Sequence, residues 1–257
     1  NFKPTRYIGF AHDDATYKAL EASKAWSDAY MVDKKDFAKE ISPFFNSNLN
    51  TYQAALITNE CWQATPGLVL DLLRRKAIND GGILMEDCYL LEVQKSDKGF
   101  IALVYTHDKE YIEYHCAHFV NALGANAHKF AKQLNIETGL YAVKHQAFIT
   151  RRLPMLGING QPLDMLIDRR NYKGFSAVYG QQFAETGQII GCASPTTDAL
   201  EAHRDLKYNS QDFLEICAEV FSDWLPQLGS VGFQAFWSGY YTEPRYIVDP
   251  SKGLLVG

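Results

Sequence analysis

Apolar positions recur with a helical period at three places. Val69, Leu72, Leu73 and Ala77 share one face of a segment with Thr65 as N-cap and Pro66 at its first position, closed by Gly81 and Gly82. Ala127, Phe130, Ala131 and Leu134 fall at i, i+3, i+4 and i+7. Phe213, Ile216, Cys217, Val220 and Trp224 form a stripe after Ser210, stopped by Pro226. Residues 13–30 are helix-forming as well, and 41–52 (ISPFFNSNLNTY) read as a loose region. Extended segments are expected at 7–10, 83–85, 89–94, 100–105, 111–115 and 118–124, with the pair 100–105 and 111–115 forming a hairpin. In the second half strands dominate, at 141–150, 164–170, 174–180 and 188–194. Turn-rich sequence separates them, as an antiparallel sheet requires. The fold class expected is α/β with α+β character. Part of a dinucleotide-type layer comes first, then a mostly antiparallel substrate-binding sheet with flanking helices.

The stretch HFVNALGANAHKFAKQL (118–134) reads as strand, tight turn at Gly124, then helix. Such a junction can bring a backbone close to a phosphate or a ring. With one glycine in the turn, the residues alone leave two readings open: a cofactor turn, or a strand packed under a helix.

Composition narrows the class. With 257 residues, 47% of them apolar, the chain can bury a core of one large or two small domains. A net charge of −5 without any Lys/Arg block leaves nucleic acid no electrostatic footprint. No apolar run approaches a membrane span, and NFKPTRYIGF lacks the layout of a signal peptide. The five scattered cysteines fit buried thiols in a reducing, cytoplasmic compartment better than disulfides or a zinc site. His115 and His118 do not make a metal site by themselves, so no metal is expected. The chain begins at Asn and ends on the apolar GLLVG, which raises the expectation of a piece of something longer.

From Cys61 to Leu134 the chain resembles the D-amino-acid oxidase and sarcosine oxidase family of flavoenzymes. The likeness lies in a helix entered by a proline (ATPGLVLDLLRRKA), a glycine pair with short strands (GGILMEDCYLLEVQ), a hairpin, and VNALGANA at 120–127. KHQAFIT, MLIDRR followed by GFSAVYGQQFAETGQIIGCASP, and FWSGYYTEPRYIVDP match further family segments in the same order. The resemblance implies FAD, bound non-covalently, and hydride removal from the C–N bond of an amine or amino acid. It divides the chain into residues 1–55, leading into the substrate domain; 56–134, part of the FAD-binding domain; 135–232, the substrate-binding sheet; and 233–257, returning to the FAD-binding domain. The family's G-x-G-x-x-G turn occurs nowhere in the 257 residues. Two expectations follow: an incomplete stretch of an enzyme, or a flavin-free structural or assembly subunit derived from this fold. A third reading, from the residues, is a generic small-molecule binding domain.

Carried over residue by residue, the resemblance places Ala122, Leu123 and Gly124 under the FAD pyrophosphate and ribose, and the backbone of Leu90 near the adenine. Asn126 stands where the family usually has an aromatic residue. Tyr240, Tyr241 and Lys144 are the catalytic-site candidates. Tyr241 falls where the D-amino-acid oxidase branch has a carboxylate-clamping arginine, and Gly239 where the sarcosine oxidase branch has its covalent cysteine. Lys144 and His145 are neighbours on one strand, so at most one faces the flavin. Lys144 is equally well a solvent-facing lysine, and His145 a core histidine. Arg169 or Arg170 is a candidate for the missing clamp or a surface salt bridge. Phe175 takes the place of a tyrosine found in some members, for which Tyr179 could compensate. The implied partner is a small amine or amino acid, and oligomerisation stays open.

Overall fold

Strand-forming sequence dominates the chain. In order the strands are β1 (Phe2–Ala11), β2 (Ala29–Asp33), β3 (Ala54–Ala64), β4 (Tyr89–Ser96), β5 (Gly99–Tyr105), β6 (Tyr111–Cys116), β7 (Leu140–Thr150), β8 (Met165–Asp168), β9 (Phe175–Gln182), β10 (Ile189–Pro195) and β11 (Phe233–Pro244). The helices are α1 (Asp14–Ser23), α2 (Phe37–Glu40), α3 (Pro66–Asn79), α4 (Ala127–Gln133) and α5 (Gln211–Trp224). The computed structural model describes residues 2–26, 28–46, 48, 50–172, 174–195, 210–230 and 232–244. The chain forms two units, Asn1–Thr65 with Lys144–Gly239, and Pro66–Val143 with Tyr240–Gly257. The chain runs from one unit to the other within β7 and again within β11.

The first unit is built on a sheet ordered β11-β7-β10-β9-β8-β1-β3-β2. β1 and β8 are parallel, whereas β1–β3, β2–β3, β8–β9, β9–β10 and β7–β10 are antiparallel. Register puts Phe148, Gly191, Gly180, Leu166 and Ile8 in one transverse row, hence on one face. Helix α5 covers that face. Its predicted stripe, Phe213, Ile216, Cys217, Val220 and Trp224, is buried, together with Phe221. The row depends on its two glycines. A Cβ on Gly191 would lie 2.3 Å from Phe148 Cζ, and one on Gly180 would lie 2.6 Å from Phe221 Cζ. Bare backbone there makes room for both rings, which meet edge to face at 5.5 Å between centroids.

At the end of β8 a carboxylate is sealed inside this core. Asp168 is fully buried and accepts hydrogen bonds from the Tyr52 hydroxyl, from the Tyr172 hydroxyl at 2.5 Å and from Arg170 Nε at 2.9 Å. Trp224 Nε1 donates to the Tyr52 hydroxyl at 2.9 Å, and the Arg170 guanidinium lies over the rings of Tyr52 and Tyr172. Burial works to raise the Asp168 pKa. The hydrogen bonds from Arg170, Tyr172 and Tyr52 outweigh it and hold the carboxyl below its usual range. Burial and the carboxylate together push the Tyr52 phenol upward, so it stays a donor.

The second unit contains the three-stranded antiparallel sheet β4-β5-β6 with α3 and α4. Helix α4 presents Ala131 and Leu134 to the interior, and Gln133 Oε1 accepts from the Val93 backbone N–H at 2.9 Å. Helix α3 forms where its period and Pro66 predict it, yet buries none of its residues; Leu70 is 68% and Leu73 61% exposed. Among the described residues, the extended segments expected at 83–85 and 118–124 are not strands, and Ile83 and Val120 are 92% and 85% exposed. A strand exists through hydrogen bonds to a neighbour, and apolar sequence alone does not provide one.

Two further differences concern the first unit. The helix expected over 13–30 starts at the Asp13–Thr16 capping box, but ends at Ser23; β2 then pairs with β3. The strand β3 had no period-two signal to reveal it, because Ala54, Ala55, Leu56 and Ile57 are all buried on a covered sheet. The GLLVG strand expectation lies outside the described residues. Among the described residues no helix is long and apolar enough to cross a membrane.

Two outcomes are expected. Gly191→Ala should lower the unfolding free energy by about 1–3 kcal/mol, because Phe148 must move to admit the methyl group; an unchanged urea midpoint would contradict the packing described. Asp168→Asn should cost about 3–5 kcal/mol at neutral pH by leaving the Arg170 charge without its partner. The folded pKa of Asp168 lies below the unfolded value of about 3.9, so its stabilisation is complete above that value and lost as pH falls through the folded pKa. The gap between wild type and variant, followed by circular dichroism in urea, should therefore close at acid pH.

Candidate functional site

Opposite the α5 face, alternation puts a second row of side chains. Ala147, Cys192, Tyr179, Ile167 and Gly9 are successive register partners across β7, β10, β9, β8 and β1. Ile149, Ile190 and Gln181 form the next row on this face. Helix α1 reaches the face at its β1–β8 side, where a Cβ on Gly9 would meet Leu20 Cδ2 at 3.6 Å and Ile167 Cγ2 at 3.7 Å. Ala147, Cys192 and Tyr179 are half-buried, whereas Phe148, Gly191 and Gly180 beneath them are buried. Tyr179 and Cys192 are register partners on β9 and β10, and the Cys192 thiol donates to the Ala193 carbonyl at 3.8 Å. Burial pushes that thiol's pKa up, and the Tyr179 contact works in the opposite direction.

The sequence candidates of this unit separate by parity. Lys144 alternates with Gln146, Phe148 and Thr150, the set facing α5, and Gln146 Oε1 caps the approach to α5 by accepting from Ser210 N at 2.6 Å. His145 has the parity of Ala147 and the second row. Both are buried, Lys144 to 7% exposure, so the solvent-facing alternative for this lysine does not hold. Arg170 is committed to Asp168, at 2.7 Å from its carboxylate, and is no clamp. Arg169 is exposed, and Phe175 belongs to the core beside Phe213.

In the second unit, Leu90 is half-buried on β4, opposite Val104 and next to a register shift. Ala122 and Leu123 are exposed in the irregular segment before α4. Asn121 braces that segment: its Nδ2 donates to Ala127 O at 2.8 Å and its Oδ1 accepts from Leu123 N at 3.4 Å. Gly124 follows at φ +54°, and a Cβ built there meets no heavy atom within 4 Å. The positive φ needs glycine, and the open space lets another group approach the backbone. Tyr240 and Tyr241 lie on β11, 37% and 52% exposed. As neighbours on one strand they point to opposite faces, so the structure does not bring them together as a pair.

Sequence reasoning had Arg170 as a clamp or salt-bridge candidate but missed its partner Asp168, with Tyr52, Tyr172 and Trp224 around it. Tyr52 and Asp168 are 116 residues apart, and no local pattern links them.

The sequence model of the FAD dependent oxidoreductase family, DAO, matches residues 1–257. No curated protein sequence matches the chain. Solved structures with the same fold include L-proline dehydrogenase from P. horikoshii, at TM-score 0.75 and 22% identity, covering 100% of this chain and 64% of that one. Glycine oxidase from Geobacillus kaustophilus superposes at TM-score 0.74 and 14% identity, over 95% of this chain and 60% of its own. Dithionite-reduced L-alpha-glycerophosphate oxidase from Mycoplasma pneumoniae, with FAD bound, gives 0.69 and 15%, over 93% and 61%. The chain thus spans 60–64% of the length of these proteins. Matched by the family model from its first residue to its last, the chain belongs to the FAD-dependent oxidoreductase family typified by D-amino-acid oxidase.

Proposed function

We propose that this protein takes part in the FAD-dependent oxidation of an amine or amino acid at a C–N bond. The match of the DAO family model over all 257 residues carries this reading. The chemistry of two neighbours favours nitrogen substrates, since their names are proline dehydrogenase and glycine oxidase. A flavin-free structural role is not favoured by the same match.

The residues around Gly124 fit a flavin nucleotide in kind. They offer open main chain at a positive-φ glycine, fixed by Asn121, and no bulky side chain fills the approach. We assign FAD contact to the backbone of Ala122, Leu123, Gly124 and Leu90. Bound FAD supplies the hydride acceptor. The protein's own task is then to orient the substrate amine and to exclude water. Tyr240, Tyr241 and Lys144 are the proposed substrate-side groups. Tyr240 and Tyr241 would act from opposite faces of β11, so one of the two hydroxyls is expected to matter. Lys144, buried on β7, would be the group set to stabilise a developing anion.

The test is spectroscopic. The purified whole protein should bind FAD, show the flavin bands, and lose them anaerobically on addition of an amino or imino acid. Gly124→Val, strained by about 1–2 kcal/mol at this φ, should weaken FAD binding about tenfold. A protein that takes up no flavin, or whose flavin no amine bleaches, would sink the proposal.

A further inference from the structure

Between β7 and β8 the backbone reverses sharply. Asn159 sits at φ 53° and ψ 33°, and Gly160 follows at φ +72°. Gln161 N donates to Ile158 O at 3.0 Å, and Gly157 N to Gln161 O at 2.9 Å. Positive φ at both central residues makes this a type I′ turn, with Asn-Gly at its centre. Below the turn the loop is tied into the core. The buried Gln182 side chain accepts from Leu156 N at 3.0 Å and Leu163 N at 3.1 Å, and donates to Pro154 O at 2.8 Å. At the tip, Asn159 and Gly160 are both exposed. Among the described residues the Asn159 side chain makes no hydrogen bond, and a Cβ built on Gly160 meets no heavy atom within 4 Å. Of all the asparagines in the chain, only Asn159 precedes a glycine.

We propose that Asn159–Gly160 is a site of spontaneous covalent modification, where the asparagine amide is lost and aspartate or isoaspartate takes its place. Hydroxide removes the Gly160 N–H proton, and the nitrogen attacks Asn159 Cγ. The new C–N bond closes a cyclic imide as the Cγ–Nδ2 bond breaks, and Nδ2 takes a proton from water and leaves as ammonia. Water then opens the ring at one carbonyl or the other, giving aspartate or isoaspartate, and nothing is oxidised or reduced. Glycine admits the attack because no side chain shields its nitrogen. The turn sets the rate. At ψ 33° the Gly160 nitrogen lies anti to the Asn159 Cβ, turned away from Cγ. Ring closure therefore awaits a local opening of the tip, which an exposed turn undergoes at small cost. Isoaspartate lengthens the main chain within the turn, and the Gln182 hydrogen bonds below confine that change to the tip. Either product adds one negative charge to the net charge of −5.

The experiment follows the whole folded protein through prolonged incubation in a series of mildly alkaline buffers made with heavy-oxygen water. Peptide mapping by mass spectrometry should find Asn159 converted to an acid that carries the heavy oxygen. The rate should rise in proportion to hydroxide and exceed that at Asn46 and Asn209, each of which precedes a serine. Ion exchange should resolve a more acidic species that accumulates in step. Gly160→Ala shields the attacking nitrogen, and Asn159→Gln moves the amide one carbon out of reach, so each should lose that species over the same period. In urea, with the turn open, wild type should convert faster at Asn159; equal rates overturn the gating by the turn. Folded wild type whose Asn159 stays intact while other asparagines convert overturns the proposal, as does an acidic species that persists in both variants.

Discussion

A single buried carboxylate organises the first unit. Asp168 has no access to water, so its charge is tolerable only while Arg170, Tyr52 and Tyr172 all donate to it. Those donors come from the turn after β8 and from the segment leading into β3, and Trp224 at the end of α5 binds the same Tyr52 oxygen. Three remote parts of the chain must therefore arrive together. The aromatic cluster of Phe10, Tyr52 and Trp224 closes over them, with Phe10 stacked on Tyr52 at 4.6 Å. The arrangement answers the question posed by the adjacent arginines. Arg170 serves the fold, and its guanidinium is unavailable to a substrate carboxylate.

The sheet's alternation then assigns work to its two faces. One face gives up side chains altogether at Gly180 and Gly191 so that Phe148 and Phe221 can settle under α5. The cost of two glycines in adjacent strands is offset by rings that fill the space to core density. The opposite face keeps the polar tips of Tyr179, Cys192 and Gln181 half-buried. Lys144 and His145 illustrate how strict the division is, because one step along β7 moves a side chain from one environment to the other.

The second unit has a different balance. Its small sheet and α4 bury Val93, Ala102, Ala131 and Leu134, while α3 and the segments at 83–85 and 118–124 leave large apolar side chains exposed. Surface of that kind is ordinarily covered by another element. What the unit does display is a main-chain turn at Gly124 with free space beside it, consistent with membership of a family defined by its flavin.

Helices and paired strands were legible where one local rule sufficed. The α5 stripe, the Pro66 entry of α3, the β5–β6 hairpin and the antiparallel strands β7 to β10 all follow from periodicity and turn chemistry, which act over a few residues. The order of VNALGANA and the segments after it was enough to point to the flavoenzyme family. Tertiary structure alone decided the rest. It made β2 from sequence that could have been helix, because β3 was there to pair with it. It left 118–124 without strand pairing among the described residues, and set Tyr179 beside Cys192 on neighbouring strands. Each of these depends on which distant backbone offers a hydrogen-bond partner. A sequence pattern carries local period and chemistry, but not the identity of the neighbour.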